Sequence, residues 1–336
     1  MIKTDIIIIG AGPVGLFTVF EAGLLKLKCH LIDALPIPGG QCAEIYPKKP
    51  IYDIPGYPSI QASVLVDKLM EQIKPFSPGF TLGETAETLE KDNDGNFKVT
   101  TTQGTVHTAP IVAIAGGLGV FKPRKPPIEN LHTLEKKYIH YIVKEPSIFD
   151  KKNIVISGGG DSALDWALYF AKNYAASVKL IHRSDNFRAH NDSVQKALNY
   201  AKEGKIEMIL NSEVYSVDEK EDNIFLNVRS KNKETQNIKC DNWLPLFGLS
   251  PKIGPIGNWG LEIEKNAIKV NNSTDYSTNV DGIFAIGDVN TYDGKLKLIL
   301  CGFHEAAIMV QSAFKKIHPE KNNVLKYTTV TGIKGF

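Results

Sequence analysis

The chain has 336 residues, 43% hydrophobic and 23% charged, with 39 Lys and Arg against 37 Asp and Glu. That balance excludes a highly charged disordered protein and gives no general pull towards nucleic acid, while at roughly 150 residues per domain the length suggests about two domains, each able to bury a core. Cys29, Cys42, Cys240 and Cys301 lie far apart with no C-x-x-C pair, which argues against a disulfide scaffold or a cysteine zinc site and points to a reducing cytoplasm. No stretch reaches the roughly 18 apolar residues of a membrane span. The apolar start is broken by Gly10, Gly12, Pro13 and Gly15, so it reads as strand, turn and helix rather than as a signal peptide.

In chain order, Asp5–Ile9 is a β-branched run typical of a buried parallel strand. Gly10 to Gly15 forms a turn, a helix runs to about Leu25, and Cys29–Asp33 is a second strand. The Pro- and Gly-rich stretch 35–58 is long for a connection, and such loops are usually functional. Ala62–Lys74 carries helical periodicity, and Thr85–Glu90, Phe97–Thr101 and Thr105–His107 read as short strands with a turn at Asp94-Gly95. Ile111–Ala115 is another apolar strand. Lys122-Pro123-Arg124-Lys125-Pro126-Pro127 is rigid and marks a domain boundary. A second strand–turn–helix–strand unit follows: Asn153–Ser157, the turn Gly158 to Ala163, Leu164–Tyr174 and Ser177–His182. A helix near Val194–Lys202 and several short strands lead to Leu246, the chain crosses back near Pro251–Pro255, and Gly282–Ile286 ends in Gly287-Asp288. The last helix is expected over about Phe303–Ile317.

One G-x-G-x-x-G turn is weak evidence; two in one chain, each between a strand and a helix, are far stronger. Gly10, Gly12 and Gly15 suit a tight turn, backbone approach to a pyrophosphate and close helix packing, and the helix N-terminus offers free N–H groups to the phosphates. Asp33 ends the second strand, 18 residues after Gly15, where a carboxylate selects an unphosphorylated ribose. The second turn, Gly158-x-Gly160-Asp161-Ser162-Ala163, differs at the matching point. Aligning Leu31-Ile32-Asp33 with Leu180-Ile181-His182 puts His182 in place of the acid, followed by Arg183 and Arg188. Guanidinium groups bind phosphate through paired, charge-assisted hydrogen bonds. The first site therefore reads as one for FAD and the second as one for NADP(H). Asp288, at the end of a buried strand, can reach the ribityl chain.

Assembled, these segments resemble the two-dinucleotide-binding-domain flavoproteins related to thioredoxin reductase. Gly158 to Ala167, His182 to His190, Gly254 to Leu261 and Gly287 to Lys295 together look like the bacterial ferredoxin–NADP⁺ reductases of the thioredoxin-reductase type, over essentially the whole chain. The resemblance implies an α/β fold of two Rossmann-like three-layer ββα dinucleotide-binding domains. The NADP(H) domain, 119–248, would be inserted in an FAD domain made of 1–118 and 249–336, and would swivel about the two crossings. It places Asp33, Gln41, Tyr46, Ala86, Phe121, Asp288 and Thr329 at FAD positions, with Tyr46 stacked on the flavin ring. It also implies a homodimer in which the C-terminal tail covers the partner's flavin, with Tyr327 on the open ring face. Ser184 departs from the family, which often has a second Arg there.

The absent cysteine pairs separate this chain from the disulfide reductases. Tyr138 to Phe149 contains no Cys, and the position five after Cys42 is Pro47. With no dithiol exit, reduced flavin is expected to pass single electrons to an acidic carrier, ferredoxin or flavodoxin. Basic clusters at Lys48-Lys49, Lys122-Arg124-Lys125 and Lys295-Lys297 are candidates for steering it. The competing readings are a disulfide reductase or NADPH oxidase, and a flavin redox sensor without turnover.

Overall fold

The computed structural model describes residues 1–321 and 328–333 except 120, 121, 136, 144, 173, 221, 222, 251 and 252. The expectations for Phe121 and Tyr327 fall outside these residues. The chain divides into two compact units, Met1–Phe121 with Pro251–Phe336, and Lys122–Ser250.

The first unit is built on a five-stranded parallel sheet in the order Ile283–Ala285, Ile111–Ile114, Ile6–Ile9, Cys29–Asp33, Gly79–Leu82. Ile6, Ile7 and Ile8 are fully buried, as strands covered on both faces must be. Register puts Ile8, Leu31 and Ala113 on one face and Ile7, His30 and Val112 on the other. The first face meets the helix Pro13–Leu24, whose Gly15 abuts Ile8. The second meets an antiparallel meander, Ala86–Lys91, Phe97–Thr101 and Val106–Ala109. Helices Ala62–Ile73 and Ile299–Ile317 pack against Pro13–Leu24.

Sheet and meander are joined by a buried polar bridge. The Thr81 hydroxyl lies 2.8 Å from His30 Nε2 and 2.9 Å from His107 Nε2. One hydroxyl donates once, so the ring that accepts its proton must be unprotonated at Nε2 while the other ring donates to the hydroxyl oxygen. Burial, with His107 adding repulsion, lowers the His30 pKa from 6.5 to about 4. The unfolded chain therefore binds the extra proton first. The stability is fully present above pH 6.5 and is lost as pH falls towards 4, on the order of 2 kcal/mol by pH 5. Urea unfolding at pH 7 and pH 5 should show that loss in the wild type and a smaller one in His30→Asn; equal losses would refute the assignment.

The second unit repeats the plan. Its parallel sheet runs Glu207–Ile209, Ser177–Ile181, Asn153–Ser157, Asn242–Pro245. Ile154, Ile156, Leu180 and Leu244 enter a core with the helix Asp161–Ala171, whereas Val155, Ile181 and Trp243 enter a second core with the meander 212–240. Alternate residues of the same strands thus feed opposite layers. Lys122–Pro123 pairs antiparallel with Leu249–Ser250, closing the unit at its entry and exit.

Some elements depart from expectation. Gly79–Leu82 forms an edge strand that the sequence reading passed over, since Gly79 and Thr81 interrupt its apolar signal. The long loop holds a one-turn helix, Gln41–Glu44, and a small strand pair, Pro50–Ile51 with Ile60–Gln61. The helices expected at Leu164, Val194 and Phe303 begin earlier, at Asp161, Asn191 and Ile299.

Candidate dinucleotide-binding sites

The two glycine turns are closed by equivalent bonds. Gly10 N–H donates to the Ile32 carbonyl (2.8 Å) and Gly158 N–H to the Ile181 carbonyl (3.0 Å). Ala115 N–H donates to Ile9 (2.8 Å), and Leu246 N–H to Ser157 (2.8 Å). Gly10 has φ +111° and Gly158 φ +150°, and a Cβ at either would run into the carbonyl oxygen of Ala115 or Leu246. The middle glycines behave differently. A Cβ on Gly12 would find nothing nearer than Gly40 Cα at 3.9 Å, and one on Gly160 would find nothing within 4 Å. Each begins a helix that no side chain caps, so open space and unsatisfied N–H groups coincide, as an anion requires.

The segment after the second strand folds back on its turn in both units. Gly39 N–H donates to the Ala11 carbonyl (2.8 Å), and Arg188 N–H to the Gly159 carbonyl (2.7 Å). The chemistry presented there is opposite. In the first unit Asp33 accepts from Ala11 N–H (2.6 Å) and Leu35 N–H (2.8 Å). Burial pushes its carboxyl above the ordinary value, and those two N–H groups oppose the shift. In the second unit the His182 ring lies over Gly159 and stacks on Phe187 at 5.1 Å. Its Nε2 meets the Asn186 carbonyl (3.1 Å) and Ser184 Oγ (3.2 Å). Burial above all, then the nearby Arg183 and Arg188, lower its pKa, so the ring is neutral and positive charge comes from the arginines. Both guanidinium groups are exposed, and among the described residues neither meets a carboxylate. Asp161 accepts from His190 N–H (2.8 Å), tying the arginine loop to the helix start; Ser162 is exposed beside it and Ala163 is buried.

Asp288 lies in the one-turn helix Gly287–Val289, half-buried, with no capping bond and no hydrogen-bond partner among the described residues. Burial raises its pKa, and Lys295 and Lys297 pull it back. Tyr46 is close enough for the Asp288 charge to raise its own pKa further, after the larger effects of burial and of Cys42, whose Sγ lies 3.7 Å from the Tyr46 hydroxyl. Gln41 Nε2 approaches the position of Gly117. Ala86 is buried opposite Thr101. The structure thus gathers Tyr46 and Asp288. Thr329 is exposed on the short helix Thr328–Thr331 and makes no side-chain hydrogen bond among the described residues.

A dinucleotide fits the first turn on three observations: the open face of Gly12, the uncapped helix and the unpartnered, half-buried Asp288. The second fits on Gly160 and two unengaged guanidinium groups.

The sequence matches the pyridine nucleotide-disulphide oxidoreductase family over residues 4–307. The chain belongs to that family. Within it, the chain is 62% identical to "Ferredoxin--NADP reductase 1" of Christiangramia forsetii over 100% of this chain and 96% of that one. It is 62% identical to the "Ferredoxin--NADP reductase" of Flavobacterium johnsoniae (100% and 95% covered), and 48% identical to that of a Bradyrhizobium species, strain BTAi1 (98% and 95%). These identities place it among the ferredoxin–NADP reductases. The thioredoxin reductase of Lactococcus lactis superposes with a TM-score of 0.78 at 26% identity, covering 94% of this chain and all of that one. That of T. acidophilum shares the fold, with a TM-score of 0.78 at 20% identity and 94% and 99% coverage.

All four cysteines are free. Burial pushes the Cys29 and Cys42 thiols up and that of Cys240 to about 12, the reverse of what a redox nucleophile needs. The steering clusters need correction. Lys295 has 6% side-chain exposure and is bonded to Glu305, so it belongs to the interior. Lys125 is engaged by Glu135 at 2.6 Å. Lys297 is exposed. Glu305, which the sequence reading missed, is fully buried in the last long helix.

Proposed function

We propose that the chain is an FAD-dependent ferredoxin– or flavodoxin–NADP⁺ reductase. The carrying observation is the pair of equivalently bonded glycine turns that present opposite chemistry, an Asp33 carboxylate after the first and the Arg183 and Arg188 guanidinium groups after the second. When bound, FAD supplies hydride exchange with a nicotinamide and one-electron exchange with a carrier. The residues bind and orient. Gly12 and the Pro13–Leu24 helix N-terminus hold the pyrophosphate, Asp33 accepts from the adenosine ribose, and Asp288 accepts from the ribityl hydroxyls. Tyr46 and Gln41 border the flavin ring, Ala86 offers backbone to the adenine, Phe121 and Thr329 are proposed FAD contacts, and Tyr327 is proposed to cover the open ring face of the flavin in the dimer partner. Gly158, Gly160, Ser162 and Ala163 hold the second pyrophosphate. His182 walls the turn, and Arg183 and Arg188 grip the 2′-phosphate. The reading includes a cytoplasmic homodimer with the unit 119–248 as the NADP(H) domain. Among the described residues no helix is long and apolar enough to cross a membrane.

Purified protein should be yellow, bleach with NADPH, and regain colour rapidly on adding oxidised ferredoxin under anaerobic conditions. Failure to bleach would favour a sensor. Bleaching without reoxidation by ferredoxin or flavodoxin, but with reoxidation by oxygen, would favour an oxidase.

A further inference from the structure

The least expected feature of the first unit is a charge pair in its interior. Glu305 has no side-chain exposure and Lys295 has 6%. Glu305 Oε2 accepts from Gly287 N–H (2.6 Å) and Asn290 Nδ2 (2.9 Å). Its Oε1 accepts from the Tyr292 hydroxyl (2.8 Å) and from Lys295 Nζ. The Lys295 ammonium also lies 5.2 Å from the Tyr292 ring centroid.

Burying an ion pair costs desolvation that Coulomb attraction only repays when the remaining lone pairs are satisfied. Here four donors converge on one carboxylate, and three of them belong to residues 287–292, the turn that carries Asp288. The same helix is packed against that turn: a Cβ on Gly302 would lie 3.4 Å from Gly287 Cα and would collide with Val14, in the first turn of the Pro13–Leu24 helix. The carboxylate of Glu305, the Asp288 turn and the start of the phosphate-binding helix therefore form one packed body. Asp288 faces Lys295 and Lys297 from the loop before the last long helix, Glu305 from that helix, and Tyr46 from the long Pro/Gly loop. Removing Lys295 takes away a cation that opposes the burial-driven rise of the Asp288 pKa and leaves Glu305 an uncompensated buried charge.

We propose that Glu305 and Lys295, with Tyr292, are positioning residues for FAD: they lock the Gly287–Asp288 turn so that Asp288 is presented to the ribityl hydroxyls. This rests on the reading of the first unit as an FAD site.

The test titrates FAD into full-length apoprotein of wild type, Lys295→Met, Lys295→Arg, Glu305→Gln and Tyr292→Phe, followed by flavin fluorescence between pH 5 and 8. Lys295→Met and Glu305→Gln should raise Kd at least about tenfold, and Tyr292→Phe a few-fold. Lys295→Arg should stay close to wild type. In Lys295→Met, affinity should also begin to fall at a higher pH than in wild type, because Asp288 protonates sooner; a merely structural role would not move that profile. If Lys295→Met does not fold, Tyr292→Phe decides. Unchanged affinity and an unchanged pH profile in folded variants would overturn the pair's role while wild type still bound FAD. A wild-type chain that binds no FAD would overturn this and the parent reading together.

Discussion

Replacing Arg183 and Arg188 together with alanine should raise the Kd for NADP⁺ about a hundredfold while leaving that for NAD⁺ within about twofold. A hydrogen bond to a charged group contributes roughly 1.5–3 kcal/mol, and 1.4 kcal/mol is tenfold. Both side chains are exposed, so the lower end applies, about tenfold for each. The two arginines flank a loop already pinned by the Arg188 and His190 backbone bonds to Gly159 and Asp161. Removing their heads should therefore not unfold it. His182 offers no substitute, because its lowered pKa leaves it neutral. Calorimetric titration with both nucleotides measures the ratio. Equal weakening of NADP⁺ and NAD⁺ would mean that the arginines grip the pyrophosphate or only shape the loop, and the assignment of the 2′-phosphate would fall.

Gly10→Ala and Gly12→Ala should fail in different ways. At Gly10 the backbone sits at φ +111° and a Cβ would meet the Ala115 carbonyl, so strain of about 1–3 kcal/mol adds to overpacking of about 1–3 kcal/mol. The protein should lose several kcal/mol of stability or fail to accumulate, with or without flavin. At Gly12 the backbone has φ −73° and the nearest atom is 3.9 Å away, so the apoprotein should melt within a degree or two of wild type. Its added methyl occupies the space through which the phosphates approach, so FAD content should drop more than tenfold. Thermal melts of apoprotein and flavin absorbance per chain separate the two effects. A Gly12→Ala protein that retains stoichiometric FAD would remove the strongest support for the first site.

The parallel strands were legible because each is a short local signal. Ile6–Ile9, Ile111–Ile114 and Asn153–Ser157 have apolar centres and run into a glycine within two residues, and burial on both faces leaves no alternative strand pattern. The glycine turns were legible for the same reason. Gly79–Leu82 was not, since an edge strand needs only one well-buried side and tolerates Gly79 and Thr81. Helix starts were misplaced because Asp161 and Asn191 resemble loop residues: the first helix begins with no side-chain cap, and the second is capped by His190, an unusual cap residue. Lys295 was read as a surface charge because lysine is rarely buried without a partner. Its partner, Glu305, is ten residues away across a turn, a spacing with no sequence signature. His182 was identified by alignment with Asp33, yet its packing on Gly159 and Phe187 depends on a loop that no local pattern encodes.

One chain is expected to hold two adenine dinucleotides at once, of different kinds. Equilibrium dialysis of the FAD-loaded protein against NADP⁺, with both nucleotides counted per chain, measures this occupancy. One FAD retained and one NADP⁺ bound per chain are expected, with NADP⁺ uptake unaffected by excess free FAD. Displacement of FAD by NADP⁺, or saturation at a single nucleotide per chain, would contradict it.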